Sequence, residues 1–261
     1  MKKNFTNYRI LIKLFIKRLP FLGFLLISLW NLLSRIRFVW HLKTLQWRAR
    51  KEAGNDQLHK ELTLYFKTRK LYQPLVPSDL QDITSPSHRE GEKRFQAIKE
   101  NLTVKSGTLL DIGANLGYFC YRLGDEGFKG VAVEENRMLC YFAQKLREKG
   151  KKKFEIVPKS IFEWRKEEML EYDVILALSI FHNFLARKDL YLELLKLLGR
   201  LRAKEMFFET CPVEHYRIGD YYKELSPKEF LELIYERTHF RDAKFIGYSE
   251  DKRPLYRLRG Y

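Results

Sequence analysis

Cysteine is scarce in this chain. There are three, Cys120, Cys140 and Cys211, and no two form a Cys-x-x-Cys pair. An odd, scattered set excludes a disulfide framework and a zinc ribbon, and fits a reducing cytosol. Acid is scarce at one end. Residues 1–60 hold 13 lysines and arginines against two acids, Glu52 and Asp56, whereas the remaining 201 residues hold 36 basic and 31 acidic side chains. The formal charge of +16 therefore resides mainly in the amino-terminal segment. An RNA-modifying enzyme more often spreads positive charge over its catalytic face. No Gly-x-Gly-x-x-Gly run and no Gly-Lys-Ser/Thr run occurs either. Their absence speaks against a dinucleotide fingerprint and a P-loop.

A full-length membrane span is also missing. Residues 19–33 (LPFLGFLLISLWNLL) carry no charge. As a helix they reach about 22 Å, short of the hydrocarbon core of about 30 Å. Six basic residues precede the stretch and six follow it up to Lys51. Such symmetry gives the positive-inside rule nothing to choose between. It suits a segment lying on an anionic membrane surface. Arg9, Lys13 and Lys17 fall on one helical face, and Trp30, Trp40 and Trp47 suit the headgroup level. No small-residue cleavage site follows Leu33, which disfavours a secretory signal. A helix packed on the catalytic core or on a second subunit, or a true span, remains an alternative. Residues 1–51 thus read as a basic, apolar helical segment, 52–86 as a connector broken by Pro74, Pro77 and Pro86, and 87–261 as a catalytic domain.

Within that domain strands and helices alternate. Residues 108–112, 130–134, 154–158, 172–177 and 206–209 read as short apolar strands, with helices at 118–126, 137–150 and 187–198 between them. This βαβ rhythm predicts a parallel sheet. A helix should precede it, from the Ser-x-x-Glu capping box at Ser87–Glu90 to about Leu102. A further helix near 227–235 and strands near 243–249 and 255–259 close the chain.

The most informative run is Leu109-Leu110-Asp111-Ile112-Gly113-Ala114-Asn115-Leu116-Gly117-Tyr118-Phe119. An apolar strand ends in an acid and passes through a glycine-containing turn into a helix. Glycine lets the backbone turn tightly and approach a ligand closely. The next strand, Val131-Ala132-Val133-Glu134, ends in an acid 21 residues beyond Gly113. A carboxylate there can accept hydrogen bonds from both hydroxyls of a ribose.

On these residues the chain resembles the class I S-adenosylmethionine-dependent methyltransferases over residues 87–259. The resemblance implies a doubly wound α/β fold with a seven-stranded, mostly parallel sheet, here with an amino-terminal helical extension. It implies S-adenosylmethionine as cofactor. Asp111, Gly113, Asn115 and Gly117 would border its methionine part, and Glu134 would hold the ribose. Ser160 and Ile161, after the third strand, would lie by the adenine. Leu178 and Ser179, past the fourth, would lie near the sulfonium. The wording Asp-Ile-Gly-Ala-Asn-x-Gly-Tyr-Phe and Val-Ala-Val-Glu is similar to the FkbM-type methyltransferases, many of which act on sugar or polyketide hydroxyls.

Methyl transfer demands position and desolvation, and a hydroxyl acceptor gains from a general base. Two candidates follow strands four and five: His182, because histidine is the side chain suited to take a proton near neutral pH, and Glu209. The alternative for His182 is a bond to a loop carbonyl, and for Glu209 an ion pair with an arginine. His215, Tyr216, Tyr221 and Tyr222 offer an acceptor wall. Asp173, at the start of strand four, reads as structural. No Asn/Asp-Pro-Pro-Tyr follows strand four, which disfavours methylation of an adenine amine. No Asp-x-Pro-Cys region accompanies Cys211, which disfavours a nucleophilic cysteine. No metal is expected. The expected activity is O-methylation of a small-molecule or glycan acceptor, a lipid-linked sugar included, on the cytoplasmic face of the cell membrane. The alternative is an RNA methyltransferase that uses residues 1–60 as a basic arm; Ser179–Phe184 is loosely similar to wobble-uridine tRNA-modifying enzymes. A non-catalytic scaffold comes last. The oligomeric state is not written in the sequence.

Overall fold

The structure is a computed structural model that describes residues 20–54, 56–69, 71–83, 91–211, 221–249 and 252–260. The chain falls into two compact units, one up to Leu64 and one from Tyr65 onward. The first contains helix α1 (Pro20–Arg50) and most of α2 (Gln57–Phe66). The uncharged stretch therefore belongs to a much longer helix, whose carboxyl half carries Arg35, Arg37, Lys43, Arg48 and Arg50 and no acid. Leu29, Leu32, Leu33, Ile36, Val39, Trp40 and Trp47 of α1 are exposed. The Lys51 ammonium lies 3.6 Å from the Trp47 ring centre. Among the described residues no helix is long and apolar enough to cross a membrane. Arg9, Lys13 and Lys17 lie outside the described residues. Asp56 starts α2 by accepting the His59 N–H at 3.1 Å, as a helix cap does.

The second unit opens with a strap, residues 71–83, that includes a short 3₁₀ turn (Ser78–Leu80). Helix α3 (Gly91–Asn101) follows; the capping box expected at Ser87–Glu90 lies outside the described residues. Then come β1 (Gly107–Ile112), α4 (Tyr118–Asp125), β2 (Phe128–Val133), α5 (Arg137–Lys149), β3 (Glu155–Val157) and β4 (Leu170–Leu178). A 3₁₀ turn (Phe181–Ala186) leads into α6 (Lys188–Arg200) and β5 (Leu201–Glu209). After the undescribed residues 212–220 come α7 (Pro227–Arg237), β6 (Phe240–Tyr248) and β7 (Pro254–Gly260). Ser226 starts α7 with a capping box to Glu229.

The seven strands form one sheet in the order β3-β2-β1-β4-β5-β7-β6. The first five are parallel, and β7 runs antiparallel between β5 and β6. The α/β expectation is met, with the antiparallel pair at one edge. Each face of the sheet carries its own core: Leu110, Ile112, Ile175, Met206 and Phe208 on one side, Leu109, Val174, Leu176, Phe207 and Phe119 on the other. The strand order reverses between β1 and β4, which sets a ligand crevice at their carboxyl ends.

Strand β5 begins five residues before the predicted Met206. Its first half, Leu201-Arg202-Ala203-Lys204-Glu205, reads as polar. Glu205 is nonetheless buried, because it accepts bonds from the Thr103 N–H (3.0 Å), the Thr103 hydroxyl (2.7 Å) and Arg259 (3.1 Å). Asp173 is likewise structural: it accepts from the Thr108 N–H at 2.7 Å and pairs with Lys204 at 2.7 Å. Two open depressions of about 560 and 330 Å³ lie here, at the amino ends of β1, β4 and β5. They sit at the edge opposite the crevice.

Candidate cofactor and acceptor site

Strand alternation turns Leu110 and Ile112 into one core and Asp111 to the other face, together with Leu109. Asp111 is 2% exposed, and its Oδ2 has no hydrogen-bond partner. Burial pushes its carboxyl up to about 7; the charge of Glu134 adds to this and that of Arg94 opposes it. Burial also raises the neighbouring Cys120 thiol, so that cysteine is inert packing.

The chain leaves β1 through three left-handed residues, Gly113 (φ +73°), Asn115 (φ +55°) and Gly117 (φ +75°). At Gly113 a Cβ would stand 2.9 Å from the Ile180 side chain. The turn is tied to β2 by the Gly113 and Ala114 N–H groups, which donate to the Val133 carbonyl at 2.9 and 3.1 Å. Glu134 completes the tie. Its Oε2 accepts from the Asn115 N–H (3.0 Å) and its Oε1 from the Asn136 N–H (2.8 Å). Each carboxylate oxygen keeps a second lone pair for a ligand. Burial raises the Glu134 carboxyl, and bonds from the backbone N–H groups of Asn136, Asn115 and Glu135 pull it back.

Gln73 is the contribution of the strap. Its Oε1 accepts from the Leu116 and Tyr118 N–H groups at 3.2 and 3.3 Å, filling the amino terminus of α4. Nothing in the sequence marks this glutamine. Tyr65 stands near Glu134, whose charge contributes to raising its hydroxyl behind the larger effect of burial.

The remaining candidates divide. Leu178 ends β4, and Ser179 turns left-handed (φ +54°) with its N–H on the Glu209 carbonyl at 3.1 Å. A non-glycine residue in that region is uncommon and points to a constrained site. Ser160 follows β3 and accepts from the Phe162 N–H at 3.4 Å, whereas the Ile161 side chain sinks into the core. His182 is buried in the 3₁₀ turn after β4. Glu209 is fully buried and accepts from Arg94 Nη1 at 2.8 Å, so of its expected alternatives the arginine pair is the one present. Arg94 comes from α3, which no motif singles out. Tyr221 packs against the core and Tyr222 is exposed, 5.8 Å from Tyr191 between ring centres. His215 and Tyr216 lie outside the described residues. Cys211 is buried and forms no disulfide. No group of three or more His, Cys, Asp or Glu among the described residues is placed to hold a metal.

No protein-family model matches the chain, and no curated protein matches it. Solved structures do match. The bifunctional kinase-methyltransferase WbdD aligns with a TM-score of 0.58 at 20% identity, over 76% of this chain and 45% of that one. The PH0226 protein from Pyrococcus horikoshii OT3 aligns at 0.54 and 13% identity, over 76% and 99%. The N-methyltransferase NodS from Bradyrhizobium japonicum WM9 aligns at 0.50 and 15%, over 66% and 96%. The chain spans less than half the length of the WbdD chains it matches. Likeness at this identity establishes architecture: the chain has the fold of the class I methyltransferases.

Proposed function

We propose that this chain is an S-adenosylmethionine-dependent methyltransferase that methylates a hydroxyl of a glycan, a lipid-linked sugar or another amphiphilic acceptor at the inner face of the cell membrane. The observation that carries the reading is the joint between the Asp111–Gly117 turn and Glu134. The turn holds three left-handed residues, two of them glycines that no larger side chain could replace without striking Ile180 or Phe154, and the acid beside it has acceptor capacity left. Asp111 adds a buried, unpartnered carboxylate oxygen. These residues fit the cofactor.

When bound, S-adenosylmethionine supplies a methyl carbon already activated by a positive sulfur. The chain supplies the rest. Gly113, Asn115 and Gly117 shape the bed, and Asp111 faces the methionine end. Glu134 takes the ribose hydroxyls. Ser160 and the Ile161 backbone border the adenine, and Leu178 and Ser179 border the reacting centre. Glu209 is held by Arg94, so His182 is the better candidate to take the acceptor proton. Water exclusion comes from the buried floor of β1, β4 and β5.

Helix α1 supports the acceptor class. It combines exposed leucine, isoleucine and tryptophan with five basic residues and no acid. An anionic bilayer rewards both features. RNA rewards only the charge.

The test is calorimetric titration of the full chain with S-adenosylmethionine and, separately, with NAD. Micromolar binding of the first alone is the expected result. Binding of NAD alone, or of neither, overturns the reading.

A further inference from the structure

The hairpin of β6 and β7 carries three aromatic rings on one face, at the rim of the sheet. Phe245 and Tyr248 are 46% and 69% exposed, and Tyr256 is partly buried. The rings meet edge to face. Phe245 lies 4.8 Å from Tyr248 and 5.8 Å from Tyr256 between ring centres. Strand alternation alone would send Phe245 and Tyr248, three residues apart, to opposite faces. A register shift between Phe245 and Gly247 prevents this. Phe245 opposes Tyr256 and Gly247 opposes Leu255, so Ile246 is the extra residue. Gly247 stands at φ +140°, which glycine adopts without strain. Tyr248 then opposes Pro254, on the same face as Tyr256. Such bulges re-aim side chains and are frequent beside functional sites.

The patch continues the acceptor side of the crevice. Tyr256 is the cross-strand partner of Phe208, one residue before Glu209 at the end of β5. Phe208 lies 6.0 Å from Phe181, the neighbour of His182. A row of rings therefore runs from the turn that holds His182 to the rim. Strand β6 is two strands away from β5, which sets its rings about 10 Å from β5.

The surroundings of the rings select what they hold. Lys244 and Arg257 pair on the opposite face, where both bond Asn101, at 3.0 and 2.8 Å. The hairpin tip, residues 249–253, reads Ser-Glu-Asp-Lys-Arg, two acids against two bases. A nucleic acid or an anionic bilayer rewards a surplus of cations, and the tip has none. Burial raises the Tyr256 hydroxyl and Tyr248 adds to this, which brings two phenols together. Apolar rings beside neutral hydroxyls complement a pyranose, with its C–H face and its rim of hydroxyls. We infer that Phe245, Tyr248 and Tyr256 form a shelf for uncharged sugar units of the acceptor, remote from the hydroxyl that is methylated. This rests on the glycan reading above and narrows it to acceptors of several sugar units.

The experiment titrates the full chain by calorimetry with neutral hexasaccharides of glucose, galactose and mannose, with the three monosaccharides, and with poly(uridylic acid). At least one hexasaccharide should bind more tightly than its monosaccharide. The double change Phe245→Ser/Tyr248→Ser should weaken that binding by about tenfold or more and leave S-adenosylmethionine within about twofold. If the double variant fails to fold, Tyr248→Ser, at the most exposed ring, should still weaken it by about threefold or more. Tyr248→Phe keeps the ring and should lose less than the serine change. Hexasaccharide binding that survives the serine changes in a folded variant overturns the inference and leaves the glycan reading standing. Binding of poly(uridylic acid) that the serine changes abolish would make the patch a base platform and overturns it too. If no hexasaccharide binds, the inference and the glycan acceptor fall together, while S-adenosylmethionine binding still decides the cofactor.

Discussion

Arg94 and Glu209 stand 115 residues apart in sequence and 2.8 Å apart in space, with side chains 7% and 0% exposed. Breaking such a pair strands a buried charge, which costs about 3–5 kcal/mol. Arg94→Ala and Glu209→Ala should each lose stability in that range. Replacing both by apolar side chains should lose less than the two single changes combined, because no lone charge remains. Chemical denaturation of the three variants checks this. Single losses under about 0.5 kcal/mol would mean that the pair is inert.

Asp111 makes stability depend on pH in a definite direction. Its folded carboxyl is pushed up to about 7, first by burial, whereas an unfolded aspartate titrates near about 4. Between those values the folded chain holds a proton that the unfolded chain has lost. Its favourable contribution is therefore complete below about pH 4 and disappears as pH rises through about 7. Glu92, lowered to about 2 chiefly by its bond from Arg122, acts with the opposite sign in a more acid window. Asp111→Asn cannot ionise and should show a flatter loss of stability between about pH 4 and 7. Denaturation midpoints across that range decide it, and parallel slopes for the two proteins would refute it.

Glu134 links a structural role to the binding role proposed above. Glu134→Ala removes the acceptor for the Asn115 and Asn136 N–H groups as well as the proposed partner of the ribose. Hydrogen bonds to a charged group are worth about 1.5–3 kcal/mol each, so affinity for S-adenosylmethionine should fall by about tenfold or more. Glu134→Gln keeps one acceptor and should lose less. Calorimetry measures both. Unchanged affinity in the alanine variant would remove the ribose assignment.

The readable parts of this chain are the local ones. The run from Leu109 to Phe119 announces strand, turn and helix through its own alternation and glycines, and Glu134 falls at the end of the next strand. Both are where the sequence puts them. Arg94 and Gln73 were not legible, because their partners lie far away in sequence. A helical arginine and a connector glutamine look like solvated side chains until Glu209 and the amino terminus of α4 come to meet them. The first half of β5 was hidden for a related reason: Glu205 is masked as polar until Thr103 and Arg259 neutralise it. The position of β7 between β5 and β6 is a tertiary choice that no local pattern encodes.

Helix α1 sets a last expectation. Leu29, Leu33, Ile36, Trp40 and Trp47 are exposed and fall on one helical face. Full burial of a large apolar side chain is worth about 1.5–3 kcal/mol, and partial immersion of three such residues still amounts to more than about tenfold in affinity. Full-length protein should therefore sediment with vesicles that contain phosphatidylglycerol. The triple change Leu33→Ser, Ile36→Ser, Trp40→Ser should weaken that by about tenfold or more. Raising salt from about 0.1 to about 1 M should weaken binding through the screened arginines but not abolish it, because the apolar share is not screened. An RNA arm makes the opposite forecast: binding that collapses with salt and ignores the serine changes. Vesicle binding that survives the triple change would release α1 from the membrane role and leave its exposed face to a protein surface.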